Sequence, residues 1–121
     1  MNFNDNIPIS RQLVEYCYTQ VMTGGWPCGE RIPSTKDMAV MLGVNPRTVM
    51  KAYDELAEAG IIYQRRGMGY YTADDARDTI IKKRRETFMR NTIPELRRTM
   101  DELGYTPQDI LNLLNDYNVR N

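Results

Sequence analysis

Apolar side chains recur along this chain at three- and four-residue steps, interrupted at intervals by glycine and proline. Over residues 8–23, Ile9, Leu13, Tyr16, Cys17 and Val21 fall on one face, which predicts an amphipathic helix. The stretch "TGGWPCGERIPS" then breaks the pattern with three glycines and two prolines and reads as a loop. Trp26 within it is expected to cover an edge of the core. Ser34 can cap a short helix over Thr35–Leu42, with Met38, Ala39 and Leu42 inward, and Gly43 supplies a left-handed stop. Asn45 caps a third helix, with Pro46 at the first helical position, where its missing N–H costs nothing. That helix is expected to run to about Ala59 and end at Gly60.

The period then changes. Two β-prone runs, residues 61–64 and 70–72, flank "RRGMG", whose two glycines suit a tight hairpin. Helix, glycine turn, helix and hairpin in that order form the outline of a winged helix-turn-helix. After the acidic stretch "ADDARD" the chain turns helical again. Met89, Ile93, Leu96, Met100 and Leu103 are spaced 4, 3, 4 and 3, a heptad-like seam that crosses Pro94. The unbroken spacing favours one helix with a kink or tight joint at Pro94. The competing reading is a capping box at Thr92 that starts a new helix. Thr106 and Pro107 begin a last helix striped by Ile110, Leu113, Leu114 and Tyr117.

The predicted fold is therefore mainly α with a small β-hairpin. Residues 1–73 form a winged helix-turn-helix and residues 74–121 a two-helix tail. A tail this short buries too little apolar surface to stand alone. Its seams are expected to pack on a second copy of the chain, as a symmetric αα-hairpin pair, in preference to the alternative, packing on the winged helix of the same chain. The dimerisation set is Ile81, Phe88, Met89, Ile93, Leu96, Met100, Leu103, Ile110, Leu113, Leu114 and Tyr117. The run "KKRRE", residues 82–86, reads as a solvated helix face, with direct DNA contact as the minority reading.

Composition removes several alternatives. The chain has 121 residues and no histidine, so it lacks the commonest metal ligand and the commonest general base. It carries no phosphate loop and no nucleophile motif. No catalytic residue, metal site or cofactor is expected. Two cysteines, Cys17 and Cys28, make no disulfide framework and read as free thiols, Cys17 buried. No apolar run approaches the roughly 18 residues of a membrane span. The start "MNFNDNIPIS" lacks the layout of a signal peptide, and a cytoplasmic protein is expected.

Net charge is zero. Residues 1–72 hold seven Lys/Arg and seven Asp/Glu, and residues 73–121 nine of each. An electrostatic footprint must therefore come from where charges sit. Val49, Ala52, Tyr53 and Leu56 share one side of the third helix and predict its core face. The opposite side carries Arg47, Met50, Lys51 and Asp54, so the leading turn exposes Arg47, Thr48 and Lys51. That is the end a recognition helix presents to the major groove. Arg47 can donate two hydrogen bonds to a guanine edge. Thr48 and the N–H groups of the helix start suit a phosphate. Asn45 can cap or contact DNA. Arg31 and Lys36 flank the second helix, with Ser34 beside them, and can hold the backbone. At the hairpin tip, Gly67 permits close approach and Arg66 can enter a minor groove.

These residues resemble the DNA-binding domain of the GntR family of bacterial transcription regulators. The run carrying the resemblance includes "ERIPSTKDMAVMLGVNPRTVMKAYDELAEAGIIYQRRGMGYY". Its markers are Arg31, Ile32-Pro33-Ser34, Leu42-Gly43-Val44, Thr48-Val49, Ala52-Tyr53, Leu56, Gly60, Gly67 and Gly69. The short helical tail and "VNPRTV" look like the YtrA-like subfamily. The resemblance implies a dimeric regulator, a repressor in the leading reading, with DNA contacts at Lys36, Asn45, Arg47, Thr48 and Gly67. Arg31 and Arg66 follow as lesser contacts. It also implies control of an ABC-transporter operon. Many family members have arginine where this chain has Lys36, Pro46 and Met50, so the operator sequence does not carry over. Any small-molecule effector would be expected between the tail helices or near residues 73–75. The alternative reading is a winged helix that binds protein and not DNA, which salt dependence would separate.

Overall fold

The computed structural model describes residues 6–117. The chain divides into two compact units, the first ending at Lys82 and the second beginning at Lys83.

The first unit opens with α1, Ile9–Thr23, whose inward face buries Leu13, Val14, Cys17, Tyr18 and Val21. Pro8 precedes it without a side-chain cap, and its carbonyl accepts the Arg11 and Gln12 N–H groups. α2, Thr35–Leu42, starts where the Ser34 hydroxyl accepts the Asp37 N–H at 3.0 Å. It stops at Gly43, whose φ of 67° lets the Val44 N–H return to the Ala39 carbonyl. α3, Pro46–Glu58, presents Val49, Ala52, Tyr53 and Leu56 to the core, the four positions its periodicity selects. Tyr53 ties several elements together. Its hydroxyl donates to the Pro33 carbonyl at 2.7 Å. Its ring meets Trp26 and Tyr70 edge to face, at centroid distances of 6.2 and 5.1 Å. Burial pushes its phenol pKa far above the usual value, with Cys17 and the tyrosines 70 and 16 adding to the shift. Burial also pushes the Cys17 thiol up to about 12. Trp26 itself is buried within this core.

β1, Ile62–Arg65, and β2, Gly69–Thr72, form an antiparallel hairpin with Tyr63 opposite Tyr71 and Arg65 opposite Gly69. The loop read from "CGERIPS" is only partly a loop. Arg31 bridges Tyr71, the Ile32 N–H donates to the Tyr70 carbonyl, and the Thr72 N–H donates to the Glu30 carbonyl. Residues 30–32 thus satisfy the outer edge of β2 as a rudimentary third strand. The pattern was too short, and too close to Pro33, to show a period.

α4, Ala76–Thr87, buries Ala76 and Ile80 in the same core. The first unit therefore reaches Lys82, nine residues beyond the boundary expected at 73.

In the second unit, residues Phe88–Thr92 form a π-helical turn that leads directly into α5, Ile93–Leu103. The Ile93 N–H reaches back five residues to the Phe88 carbonyl. Pro94 has no N–H and its ring would clash with the carbonyl four residues back, which the wider turn accommodates. Thr92 has helical angles and no side-chain cap bond, so the capping-box alternative does not form. The helix does continue through Pro94, but the π turn adds a residue. The regular spacing from Met89 to Leu103 therefore crosses a wider turn and is no plain α-helical stripe. α6, Pro107–Asp116, starts with a complete capping box between Thr106 and Asp109. Hydrogen bonding from Thr106, its N–H first and its hydroxyl second, holds the Asp109 carboxyl below its ordinary pKa.

Among the described residues, no helix is long and apolar enough to cross a membrane.

Candidate nucleic-acid interface

The start of α3 is set by two adjacent residues. The Asn45 side-chain oxygen accepts the Arg47 N–H at 2.8 Å, and Pro46 fills the first helical position. The Asn45 carbonyl takes the Thr48 and Val49 N–H groups. The N–H groups of Arg47 and Thr48 are thus engaged, and Pro46 has none. Bare N–H groups, expected there for a phosphate, are not found at positions 46–48, and what this turn offers outward is side chains. Arg47 and Lys51 are exposed and Thr48 half-buried, because Val49 and Ala52 beside them take the inward positions. Asn45 is exposed as well. Its oxygen is used by the cap while its amide NH2 remains a donor, so capping and an outward contact coexist in one side chain.

Beside this turn lies a shallow groove lined by Ile9, Ser10, Arg47, Thr48 and Lys51. Ser10, from the first turn of α1, is a polar neighbour that sequence reasoning missed. No periodicity in either helix indicates that their starts adjoin. On α2, Lys36 is exposed, while the Ser34 oxygen is engaged as the cap.

The hairpin supplies the second cluster. Arg66, Gly67 and Met68 are exposed at its tip, where Gly67 has φ 74° and the Met68 N–H closes the turn on the Arg65 carbonyl. The two faces of the hairpin differ. Ile62 and Thr72 are buried on one, and Tyr70 packs there on Tyr53. The other carries Tyr63, Arg65 and Tyr71. The two tyrosine rings stack with centroids 5.8 Å apart, and the Arg65 guanidinium lies 4.6 Å from the Tyr71 centroid. This cluster was legible in principle, since an antiparallel hairpin closed by "RRGMG" sets Tyr63 opposite Tyr71.

The cations of this surface are unpaired: among the described residues, Arg31, Lys36, Arg47, Lys51, Arg65 and Arg66 form no ion pair. Three arginines elsewhere are engaged: Arg11 pairs with Glu55 at 2.7 Å, Arg77 donates to the Met22 carbonyl, and Arg97 pairs with Asp101. A chain of zero net charge thus still presents six cations, unpaired among the described residues, on the helix-turn-helix and wing. Among the described residues there is no cluster of three or more potential metal ligands.

The tail residues read as a dimer seam are mostly uncovered. Met89, Leu103, Leu114 and Tyr117 are 64–72% exposed. Phe88, Leu96 and Leu113 are exposed too, Ile81, Ile93 and Ile110 are half-buried, and only Met100 is buried.

Residues 9–71 match the family described as "Bacterial regulatory proteins, gntR family". The chain is 28% identical over 109 residues to YhcF, an uncharacterised HTH-type transcriptional regulator of Bacillus subtilis, covering 90% of this chain and 88% of that protein. It is 35% identical over 75 residues to the HTH-type transcriptional repressor YtrA of the same organism, covering 62% and 58%. Among solved structures, a GntR family transcriptional regulator from Listeria monocytogenes superposes with a TM-score of 0.80 at 32% identity, over 96% of this chain and all of that one.

Proposed function

Because the chain belongs to the GntR family of bacterial regulatory proteins, we propose that it represses transcription as a homodimer bound to a near-palindromic operator. Its relatives are transcription regulators, and its first unit is a DNA-binding winged helix. The observation that carries the finer reading is the leading turn of α3, with Arg47 and Lys51 exposed and free of ion pairs among the described residues. In this reading α3 lies in a major groove. Arg47 reads a guanine edge, and Asn45, Thr48 and Lys51 fix the register on phosphates. Arg31, Ser34 and Lys36 border the same backbone, and Arg66 and Gly67 enter the adjoining minor groove.

A single small module buries too little for specificity, which supports two heads on half-sites ~34 Å apart. The exposed apolar set from Phe88 to Tyr117 supports the tail as the surface joining them, since a monomer leaves it in water. Sensing of a small molecule would act through that joint, by favouring one arrangement of the heads over another. The likeness to YtrA-type repressors adds an ABC-transporter operon as the expected target.

The test is selection of binding fragments from random duplex DNA, followed by footprinting with wild-type protein and Arg47→Ala. Wild type should select an inverted repeat. The variant should bind it weaker by about 1–3 kcal/mol and lose preference at one base position per half-site. Failure to enrich any sequence, or an unchanged footprint and affinity for the variant, overturns this reading.

A further inference from the structure

The outer face of the wing holds a second, unassigned feature. The register that pairs Tyr63 with Tyr71 also pairs Arg65 with Gly69, so these four positions point away from the core together. Gly69 has φ 94°, and the place its side chain would occupy is already taken. A Cβ there would lie 3.0 Å from Arg31 Nε and 3.3 Å from one terminal guanidinium nitrogen. The root of this side chain is fixed beside β2, because the Arg31 backbone bridges Tyr71. Two guanidinium groups therefore rest on neighbouring outward positions of β2, Arg31 over Gly69 and Arg65 over the Tyr71 ring, with Tyr63 stacked behind. Those positions are about 7 Å apart, a separation comparable to that of neighbouring phosphates along one nucleic-acid strand.

Stacking fixes the orientation of an arginine without using its N–H groups. The donors stay in the plane of the guanidinium, and neither Arg31 nor Arg65 forms an ion pair among the described residues. Holding two like charges this close is unfavourable unless an anion arrives. The planar fork of arginine matches a phosphate, and pre-orienting it reduces the ordering cost of binding. An apolar partner would strand both charges.

We propose that Arg31 and Arg65, seated by Gly69, Tyr71 and Tyr63, clamp two phosphates of one DNA strand, extending the wing contact from its tip along its outer face. Arg65 is a binding residue and Tyr71 a positioning residue. The inference rests on the DNA-binding reading above, but it concerns a sequence-independent contact and can be tested without knowing the operator.

The experiment is fluorescence anisotropy of the full chain on a mixed-sequence duplex of about 30 base pairs, titrated at several salt concentrations. Each lost phosphate contact should make the slope of log affinity against log salt shallower by about 0.9. Arg65→Ala and Arg31→Ala should each do so, and the double variant should change it by about twice that. Tyr71→Leu, which leaves every charge in place, should weaken binding in the wild-type background and have no further effect with Arg65→Ala present. Tyr71→Phe keeps the ring and should bind as wild type, and Arg65→Lys should not recover the loss. If wild type binds and both arginine variants keep its slope and affinity, the clamp is wrong while the DNA-binding reading stands. If Tyr71→Leu weakens binding equally with Arg65→Ala present, Tyr71 does not act through Arg65. If wild type binds no duplex at any salt concentration, the function itself is wrong and the clamp falls with it.

Discussion

Asn45 offers a way to separate folding from recognition at a single atom. In Asn45→Asp the oxygen that accepts the Arg47 N–H is retained, so the cap survives. Aspartate caps about as well as asparagine, and a negative charge at a helix start contributes roughly 0.3–1 kcal/mol. The urea midpoint should therefore stay level or rise. DNA binding should move the other way. The substitution deletes the NH2 donor and puts a carboxylate where a phosphate is expected. Two unit charges ~7 Å apart repel by about 0.6 kcal/mol at the dielectric constant of water and about 2.4 kcal/mol at the effective value of 20 near a protein surface. Affinity should accordingly drop by roughly 3- to 60-fold, most at low salt, where screening is weakest. Asn45→Ala provides the opposite signature, a loss of ~1 kcal/mol of stability from the missing cap. Urea denaturation followed by circular dichroism reads the first quantity, and anisotropy on a mixed-sequence duplex at low salt reads the second. If Asn45→Asp binds as tightly as wild type at low salt, the start of α3 does not face the phosphate backbone.

Thr72 is fully buried and its hydroxyl has no hydrogen-bond partner among the described residues. Thr72→Val removes that stranded group at constant shape and should stabilise the fold by about 1–2 kcal/mol, visible as a higher urea midpoint; a lower midpoint would mean the hydroxyl is satisfied. Cys17 is buried, with its thiol pushed up to about 12, whereas Cys28 is exposed. A thiol reagent at neutral pH should therefore titrate one equivalent in the native protein and two in denaturant, and two fast native equivalents would contradict the burial. The Asp109 carboxyl is lowered from 3.8, so its contribution to α6 is present above pH 3.8 and is lost as pH falls through the lower folded value. An NMR titration should find its midpoint below 3.8 in wild type and part of the way back in Thr106→Ala, where the hydroxyl bond is gone and the Thr106 N–H remains; no movement would show that the hydroxyl plays no part.

Features that depend on a few consecutive residues were legible in the sequence. Ser34, Asn45 and Thr106 each announced a helix start, and each accepts the cap bond that its position implies. The inward face of α3 followed from spacing alone. What escaped was relation between distant segments. The pairing of residues 30–32 with β2 joins positions some forty residues apart, and nothing local encodes it. Ser10 reaches the candidate site only because the start of α1 lies against the start of α3. At Pro94 the seam was read as continuous because a count along the chain cannot register a wider turn. The spent N–H groups at the start of α3 were deducible from Asn45-Pro46 and were overlooked. A good side-chain cap together with a proline leaves the backbone little to offer.

Tyr53 belongs to α3, donates its proton to the residue before α2's cap, and holds one ring from the preceding loop and one from the wing. In the proposed function those are the parts that meet DNA, so the step from the major-groove contact to the minor-groove contact is set by packing around one side chain. Such a head resembles a block of type. Substituting Arg47 or Arg66 changes the letter it prints, but the offset between the two impressions is cast in the core. Operators that diverge in base sequence remain within reach of a few surface substitutions. One whose two contacts were shifted by a single base pair would be refused even with every base correct, and only a change around Tyr53 could admit it.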